Sequence, residues 1–237
     1  MELWSQVKDN VWFLLMCGII AASLFFLAKL AQWFLPEKRN ISPARRVSII
    51  GICAAIATVL HMIDFPLLFL APPFYKLDFS ELPVMLCGFF LGPSAAVACE
   101  AVKILLKLLL KGTSTAFVGD FANFAVGCSL VLPATILYHI RKTKSGAVLG
   151  LGVGTGILTV FGSAFNAVYL LPKFAQLYGM PLETIISMGT KVNPGVTSVT
   201  TFALLCVAPL NLIKGISVSL LTLLLYKRVE KVLFRHK

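Results

Sequence analysis

Apolar residues fall into seven long runs along this chain, and short polar or proline-containing breaks separate them. The runs cover residues 11–35, 46–63, 82–91, 93–110, 120–140, 146–171 and 197–226. A helix needs about 20 apolar residues to cross a bilayer, and most of the runs approach or exceed that length. The run 82–91 is too short to cross alone with normal tilt, and it ends at Gly92-Pro93, a signal for one helix to stop and another to start. The pattern predicts an all-α integral membrane protein with seven spans.

The segment 64–83 differs from an ordinary loop because it is rich in both proline and aromatic residues. These residues are Pro66, Pro72, Pro73 and Pro83, with Phe65, Phe69, Phe74, Tyr75 and Phe79 between them. Proline at this density prevents a regular helix, yet the segment is too apolar for a loop washed by water. Irregular backbone at membrane depth is tolerated only where it is buried in protein or lines a cavity. We therefore predict a loop that folds back over a pocket.

Composition and charge support a membrane protein and give its orientation. The chain is 58% hydrophobic and 13% charged, against about 45–50% and about 25% in soluble domains, which excludes a soluble enzyme, a secreted scaffold and a disordered tail. The net charge of +11 comes largely from three clusters beside apolar runs, as the positive-inside rule requires, so no nucleic-acid partner is expected. The clusters are Lys38, Arg39, Arg45 and Arg46; Arg141, Lys142 and Lys144; and Lys227, Arg228, Lys231, Arg235 and Lys237. We predict that all three, and the C-terminus, are cytoplasmic, and that segments 64–83, 111–119 and 173–194 lie outside.

The first run, 11–35, could be mistaken for a signal peptide. Glu2, Lys8 and Asp9 precede it, and the first basic cluster follows it. This is the reverse of the basic start of a signal peptide. We predict a retained helix with its N-terminus outside.

Motifs for catalysis and metal binding are absent from the sequence. It contains no GxxxxGK[ST], HExxH or GxSxG, its three histidines are scattered, and its six cysteines lie inside apolar runs without a CxxC pair. Gly150, Gly152, Gly154 and Gly156 do not match GxGxxG, and their i, i+4 spacing suits close helix packing instead. The sequence therefore argues against an enzyme and against a metal site.

Polar residues inside the runs are the candidates for binding. Ionisable groups at bilayer depth cost about 2.5–3.5 kcal/mol each, so they usually face inward and have a function. Lys214 and Asn211 share one helix face, Asn166 is near the outer end of the preceding run, and Asn123 starts another. Two amides and one lysine beneath an aromatic loop suit a neutral planar ligand with carbonyl and imide edges. A hydrogen bond between helices is the alternative for Asn211 and Lys214.

Two further patterns have both a structural and a functional interpretation. Glu100, Lys103 and Lys107 share one face, and Glu100 with Lys103 could be a self-neutralising pair while Lys107 extends to the outer interface. The second run carries small residues that permit close approach of a helix. They are Gly51, Ala54, Ala55 and Ala57. They suit either packing within the chain or docking of a partner subunit.

Five sequence segments resemble the riboflavin-specific S component of energy-coupling factor (ECF) vitamin transporters. They are FYKLDFSELP (74–83), GFFLGP (88–93), GTSTAFVGDFANFAVGC (112–128), NAVYLLPKFAQLYGMP (166–181) and APLNLIKGISVSLLTLLLYKR (208–228). They occur in the family's order, and the resemblance as a whole covers roughly residues 46–228. The resemblance implies a six-helix substrate-binding membrane domain at 46–237, a cytoplasmic linker at 36–45, and an extra transmembrane helix at 1–35 that the family core lacks.

The resemblance also implies a function and a set of site residues. Such proteins bind riboflavin from outside a bacterial cell membrane and dock on a transmembrane coupling subunit that is joined to two ABC-type ATPases. Riboflavin is then the transported ligand, and no cofactor is needed. The positions matched to the ligand site are Asn211, Lys214, Asn166, Leu77, Asp78, Asn123 and Thr113. The positions matched to partner docking are Gly51, Ala54, Ala55 and Ala57.

Two alternatives remain at this stage. The first is an S component for another vitamin, although a cationic vitamin such as thiamine should require carboxylates, whereas the deepest charge in the predicted pocket is Lys214. The second is a membrane enzyme or scaffold that transports nothing.

Overall fold

The structure, a computed structural model, describes residues 11–35 and 41–233 and is mostly helical. Its helices are α1 Val11–Phe34, α2 Pro43–Met62, α3 Glu81–Leu91, α4 Pro93–Lys111, α5 Val118–Ile140, α6 Lys144–Phe165, α7 Leu171–Leu177, α8 Leu182–Val192, α9 Val199–Phe202 and α10 Ala208–Leu233. Two short strands, β1 Phe65–Pro66 and β2 Lys76–Leu77, pair antiparallel inside the loop between α2 and α3. Three sequence predictions involve residues outside the described ranges. The N-terminal orientation depends on residues 1–10, and most of the predicted linker consists of residues 36–40. The third basic cluster ends with Arg235 and Lys237.

Five helices among the described residues are long and apolar enough to cross a membrane. They are Leu15–Phe34, Pro43–Met62, Val118–Ile140, Lys144–Leu177 and Val199–Leu233. The all-α class is therefore supported, whereas a count of seven spans is not. The two remaining predicted spans differ for physical reasons: α3 has only 11 residues, and α4 carries Glu100, Lys103 and Lys107 in its apolar stretch.

One π-helical turn follows α6 and another precedes α10. Asn166–Leu170 joins α6 to α7, and Ala203–Val207 joins α9 to α10. Pro172 was predicted to end its helix, but it lies in the first turn of α7, and the helix continues. A proline ring clashes with the carbonyl four residues earlier in a regular α-helix. A widened turn just before Pro172, and likewise before Pro209, relieves that clash, and such turns are frequent at functional sites.

The corner between α3 and α4 is held by polar side chains from two other helices. Gly92 has a φ of 98°, which a glycine adopts without strain, and Pro93 then starts α4. Arg46 of α2 donates hydrogen bonds to the Leu91 carbonyl at 3.2 Å and to the Ser94 hydroxyl at 3.0 Å. Gln32 of α1 donates to the same carbonyl and accepts a hydrogen bond from the Ser94 amide. The corner therefore ties the extra helix α1 to the other helices.

Glycines let α6 approach α5 along one face. A Cβ on Gly154 would lie 2.6 Å from the Leu130 carbonyl oxygen, and one on Gly150 would lie 2.6 Å from the Ala134 carbonyl oxygen. A Cβ on Gly152 or Gly156 would meet nothing within 4 Å. The predicted close packing thus applies to the pair Gly150 and Gly154, while the other two glycines face outward.

We predict that Gly154→Ala destabilises the protein and that Gly156→Ala does not. The new methyl group at position 154 meets backbone, which cannot rotate away, so α5 and α6 must move apart; overpacking of this kind costs about 1–3 kcal/mol. Thermal unfolding of the two variants in detergent would measure the difference. Equal melting temperatures for both variants would contradict the close packing of α5 and α6.

Candidate functional site

The loop between α2 and α3, residues 64–80, covers one end of the helices, and we refer to it as the lid. Ala71 of the lid is buried against an apolar cluster that includes Leu171, Ile185 and Phe202. The Tyr75 hydroxyl donates a hydrogen bond to Asn166 Oδ1 at 2.6 Å, and its ring lies 5.9 Å from that of Phe202. Burial raises the pKa of the Tyr75 phenol, so it stays protonated and acts as a donor. The lid therefore contacts the π turn of α6 directly.

The other end of the lid enters a buried group of charged residues, which we refer to as the charge cluster. Its members are Asp78, Glu81, Glu100, Lys103 and Lys214. Lys214 Nζ of α10 lies 3.2 Å from Asp78 Oδ2 and 2.9 Å from Glu81 Oε2. Lys103 Nζ of α4 lies 3.3 Å from Glu81 Oε1 and also contacts Glu100. The cluster joins the lid to α3, α4 and α10.

Asp78 is the member of the charge cluster that belongs to the lid. Its carboxylate accepts a hydrogen bond from the Ser80 amide at 2.8 Å, and His61 Nδ1 of α2 lies 3.4 Å away. Burial alone would raise the pKa of Asp78, but the Lys214 ammonium and the His61 imidazole outweigh it and hold that pKa well below its usual range. Asp78 is therefore ionised at neutral pH and anchors the lid electrostatically.

Three polar groups beside the charge cluster lie on the facing surfaces of α6 and α10. Asn166 donates a hydrogen bond from Nδ2 to the Gly162 carbonyl at 2.7 Å. The position that a Cβ on Gly162 would occupy lies 2.5 Å from Asn211 Nδ2, so Asn211 rests directly on this glycine. Asn211 Nδ2 and the Ser163 hydroxyl are both buried and have no hydrogen-bond partner among the described residues. Unpaired buried polar groups are costly and suit a site that a polar ligand completes.

The structure brings five of the predicted ligand residues into one region. Asp78 contacts Lys214, Leu77 is buried beside Asp78, Asn166 binds the lid, and Asn211 is one helical turn from Lys214. None of these contacts includes a ligand, so their role in binding stays a prediction.

The two other predicted ligand residues make local hydrogen bonds. Asn123 Nδ2 donates to the Gly119 carbonyl within its own helix at 3.0 Å. The Thr113 hydroxyl accepts a hydrogen bond from the Phe117 amide at 2.9 Å, in a turn where Ala116 and Phe117 both have positive φ. Thr113 therefore shapes the turn between α4 and α5, and no contact in the described part of the chain links it to Lys214.

The predicted docking residues of α2 separate into two sets. Ala54 and Ala57 are fully buried in the core of the chain, where they cannot contact another subunit. Gly51 and Ala55 are exposed, and a Cβ on Gly51 would meet nothing within 4 Å. Residues four apart, such as Gly51 and Ala55, lie on one helix face, whereas adjacent residues such as Ala54 and Ala55 point about 100° apart. The docking prediction therefore stands only for Gly51 and Ala55.

Three sequence interpretations need correction. Lys107 does not extend to the interface: its ammonium lies 2.5 Å from Asp120 Oδ1 and donates to the Gly112 carbonyl. Glu100 and Lys103 do pair, but Lys103 is shared with Glu81, so the pair is part of a larger cluster.

The third correction concerns carboxylates at the site. The sequence makes Lys214 the deepest charge of the predicted pocket and indicates one carboxylate there, Asp78, whereas both Asp78 and Glu81 lie directly against Lys214. The charges of these two carboxylates are offset by Lys214 and Lys103. Glu81 and Tyr75 were missed as site residues, although both lie within the segment FYKLDFSELP.

Known proteins support the family that the motifs indicate. The profile of the family described as "ECF transporter, substrate-specific component" matches residues 45–226. A solved structure, described as "Structure and mechanism of the S component of a bacterial ECF transporter", superposes with a TM-score of 0.63 and 35% identity, over 82% of this chain and all of that chain. The chain belongs to the family of substrate-specific components of ECF transporters. It is a membrane transporter component and not an enzyme.

Two curated relatives extend the comparison to named proteins. Riboflavin transporter RibU of Staphylococcus aureus (strain TCH60) is 35% identical over 204 residues, which make up 84% of this chain and 97% of that protein. Riboflavin transporter FmnP of Bacillus subtilis (strain 168) is 28% identical over 187 residues, or 78% of this chain and 92% of that protein. The family match begins at residue 45, after the end of α1 at Phe34.

We predict that Lys214→Met lowers the melting temperature most at neutral pH and progressively less as the pH falls below about 4, the ordinary carboxyl pKa. A carboxylate whose pKa is lowered by folding contributes stability above its unfolded pKa and loses it as the pH falls through its folded pKa. The lost lysine therefore matters most while Asp78 is ionised. Thermal unfolding of both proteins in detergent across this pH range would measure the gap.

Lys76→Met is the matched control. Lys76 pairs with Asp64 at 3.0 Å on the exposed part of the lid, where an ion pair contributes about 0–1 kcal/mol. This variant should unfold close to the wild-type temperature at every pH. A gap for Lys214→Met that stays constant with pH would contradict the electrostatic anchoring of Asp78.

Proposed function

We propose that this chain is the riboflavin-binding component of an ECF-type uptake transporter. The observation that carries the proposal is the pair of buried amides, Asn166 and Asn211, which both lie against Gly162, with Asn211 one helical turn from Lys214. The Asn211 amide nitrogen has no hydrogen-bond partner among the described residues. Relatives named riboflavin transporters match this chain over 84% and 78% of its length.

The chemistry of riboflavin fits these side chains. Its isoalloxazine ring is planar and neutral, with carbonyl acceptors and an imide donor on one edge. An asparagine amide offers both a donor and an acceptor, and a lysine ammonium offers donors only. Asn211 and Asn166 would pair with the imide edge, and Lys214 would donate to a carbonyl. Leu77 and Asp78 would close over the ring as part of the lid.

Energy for uptake has to come from other subunits. The sequence contains no motif that cradles ATP phosphates. We propose that the chain docks on a transmembrane coupling subunit joined to two ABC-type ATPases, through the exposed small residues Gly51 and Ala55 of α2. Small residues let two helices approach closely in a membrane.

The basic residues support an orientation in which the lid faces outside. Arg45, at the start of α2, donates a hydrogen bond to the Leu233 carbonyl at the end of α10. The described residues of the first and third basic clusters therefore lie near one end of the helices. The second cluster, Arg141 to Lys144, lies between α5 and α6. The positive-inside rule places this end in the cytoplasm of a bacterial cell, together with the C-terminus.

We predict that Asn211→Ala and Lys214→Ala each weaken riboflavin binding by about 1–3 kcal/mol, since each leaves a polar group of the ligand unmatched in a buried site. Quenching of riboflavin fluorescence by the purified protein would measure the dissociation constants. Lys191→Ala, on the exposed surface of α8, is the control and should bind like the wild type. A wild-type protein that retains no flavin absorption after removal of excess riboflavin would reject the proposed ligand.

We predict that Gly51→Leu reduces riboflavin uptake by cells at least about tenfold while the purified variant still binds riboflavin normally, because a large side chain prevents close helix approach. Gly156→Leu is the matched control, since that glycine also has no neighbour within 4 Å but lies on α6. Uptake of labelled riboflavin and the amount of protein in the membrane should be measured together. Normal uptake by the Gly51 variant would contradict docking at this face.

A further inference from the structure

Glu81 bridges the two buried lysines of the charge cluster. Its Oε2 lies 2.9 Å from Lys214 Nζ, and its Oε1 lies 3.3 Å from Lys103 Nζ. The Ser80 hydroxyl adds hydrogen bonds to both sides of the bridge: it donates to Glu81 Oε2 at 3.3 Å and accepts from Lys103 at 3.1 Å. Glu81 is 2% exposed and Lys103 is completely buried, so water does not screen these contacts.

The two carboxylates that hold Lys214 are attached to different parts of the fold. Asp78 is in the lid, two residues beyond the start of β2. Glu81 is the first residue of α3, where the positive end of the helix dipole favours a carboxylate. Helix α3 is buried along nearly all of its length. When the lid moves, Asp78 moves with it, whereas Glu81 keeps its place against Lys214.

Lys103 in turn fixes Glu81. Its ammonium contacts Glu100 on the same helix, one turn earlier, as well as Glu81. Lys103 thus has a second carboxylate and does not depend on Glu81 for a partner, whereas Glu81 is held in position from α4. Lys103 of α4 therefore holds Glu81 in position, and Glu81 in turn holds Lys214.

The number of hydrogen-bond donors on Lys214 leaves one for a ligand. A lysine ammonium has three N–H groups, and Asp78 and Glu81 accept two of them. The adjacent carboxylates offset the positive charge, so the remaining donor suits a neutral carbonyl oxygen better than an anion. A lysine side chain has about 2 kcal/mol of rotamer entropy, and fixing it before the ligand arrives lowers the cost of binding.

We propose that Glu81 is a positioning residue that holds the Lys214 ammonium in place for a neutral carbonyl of the ligand. This inference rests on the proposed riboflavin-binding function. Glu81 does not touch the ligand itself, and it acts on binding only through Lys214.

A double-mutant cycle tests the proposal, with riboflavin dissociation constants measured for the wild type, Glu81→Gln, Lys214→Met and the double variant. Glu81→Gln should weaken binding about tenfold when Lys214 is present and less than about twofold when it is methionine, because coupled residues are not additive. Equal factors in the two backgrounds would show that Glu81 acts only on the fold and would overturn the proposal. Unchanged affinity in Glu81→Gln would also overturn it.

Glu183→Gln is the matched control. Glu183 lies in the first turn of α8 and is exposed, so this variant makes the same change of charge at a helix start outside the charge cluster and should bind riboflavin like the wild type in both backgrounds. If Glu81→Gln does not fold, Glu81→Asp replaces it in the cycle, since it keeps the charge but is one methylene too short to reach both lysines. Its loss of affinity should again depend on Lys214, and a loss independent of Lys214 would overturn the proposal.

The wild-type measurement separates this inference from the proposed function. Failure of the wild type to bind riboflavin rejects the function, and with it the role of Glu81. Normal wild-type binding with additive variants rejects only the role of Glu81.

Discussion

The buried charge cluster is the constraint on which the rest of the site depends. Burying a single ion costs several kcal/mol even after relaxation, and only good geometry with a partner offsets that cost. Here Glu81 is shared between Lys103 and Lys214, so that each buried lysine has two carboxylate neighbours. Removing any one member would leave its neighbours charged and poorly paired. The lid, α3, α4 and α10 are therefore fixed relative to one another at this point.

Two polar contacts of unequal strength hold the lid to the helices. At its α3 end, Asp78 is held by Lys214 and His61 in the charge cluster. Further along the loop, the Tyr75 hydroxyl makes one neutral hydrogen bond to Asn166 at a π turn. A neutral hydrogen bond contributes about 0.5–1.5 kcal/mol, and bonds to charged groups contribute more. The Tyr75 hydrogen bond is thus the weaker of these two polar contacts, and the packing of the Tyr75 ring on Phe202 and of Ala71 in an apolar cluster adds to it.

Local patterns predicted most of the helices but few of the contacts. Hydrophobic runs and Gly92-Pro93 gave the helix positions, and the i, i+3 spacing showed that Glu100 could reach Lys103. The pairing of Glu81 with Lys214 could not be predicted, because 133 residues separate them and no period of helix or strand relates them. The end of α6 was misplaced for a different reason, since the π turn before Pro172 removes the clash on which the prediction relied. Asp78 and Lys214 were each found by their motifs, and only the fold shows that they form a pair.

Helix α1 leaves the proposed docking surface open. It packs its small residues Ala21 and Ala28 against the apolar cluster of α4 and α5, and Gln32 fixes it to the corner between α3 and α4. Gly51 and Ala55 of α2 remain exposed beside it. Because Arg46 of α2 binds the same corner through Leu91 and Ser94, α1 and α2 share an anchor. Helix α3 ends at this corner and begins at Glu81 in the charge cluster. One short helix therefore connects the corner that α2 binds with the residue that contacts Lys214.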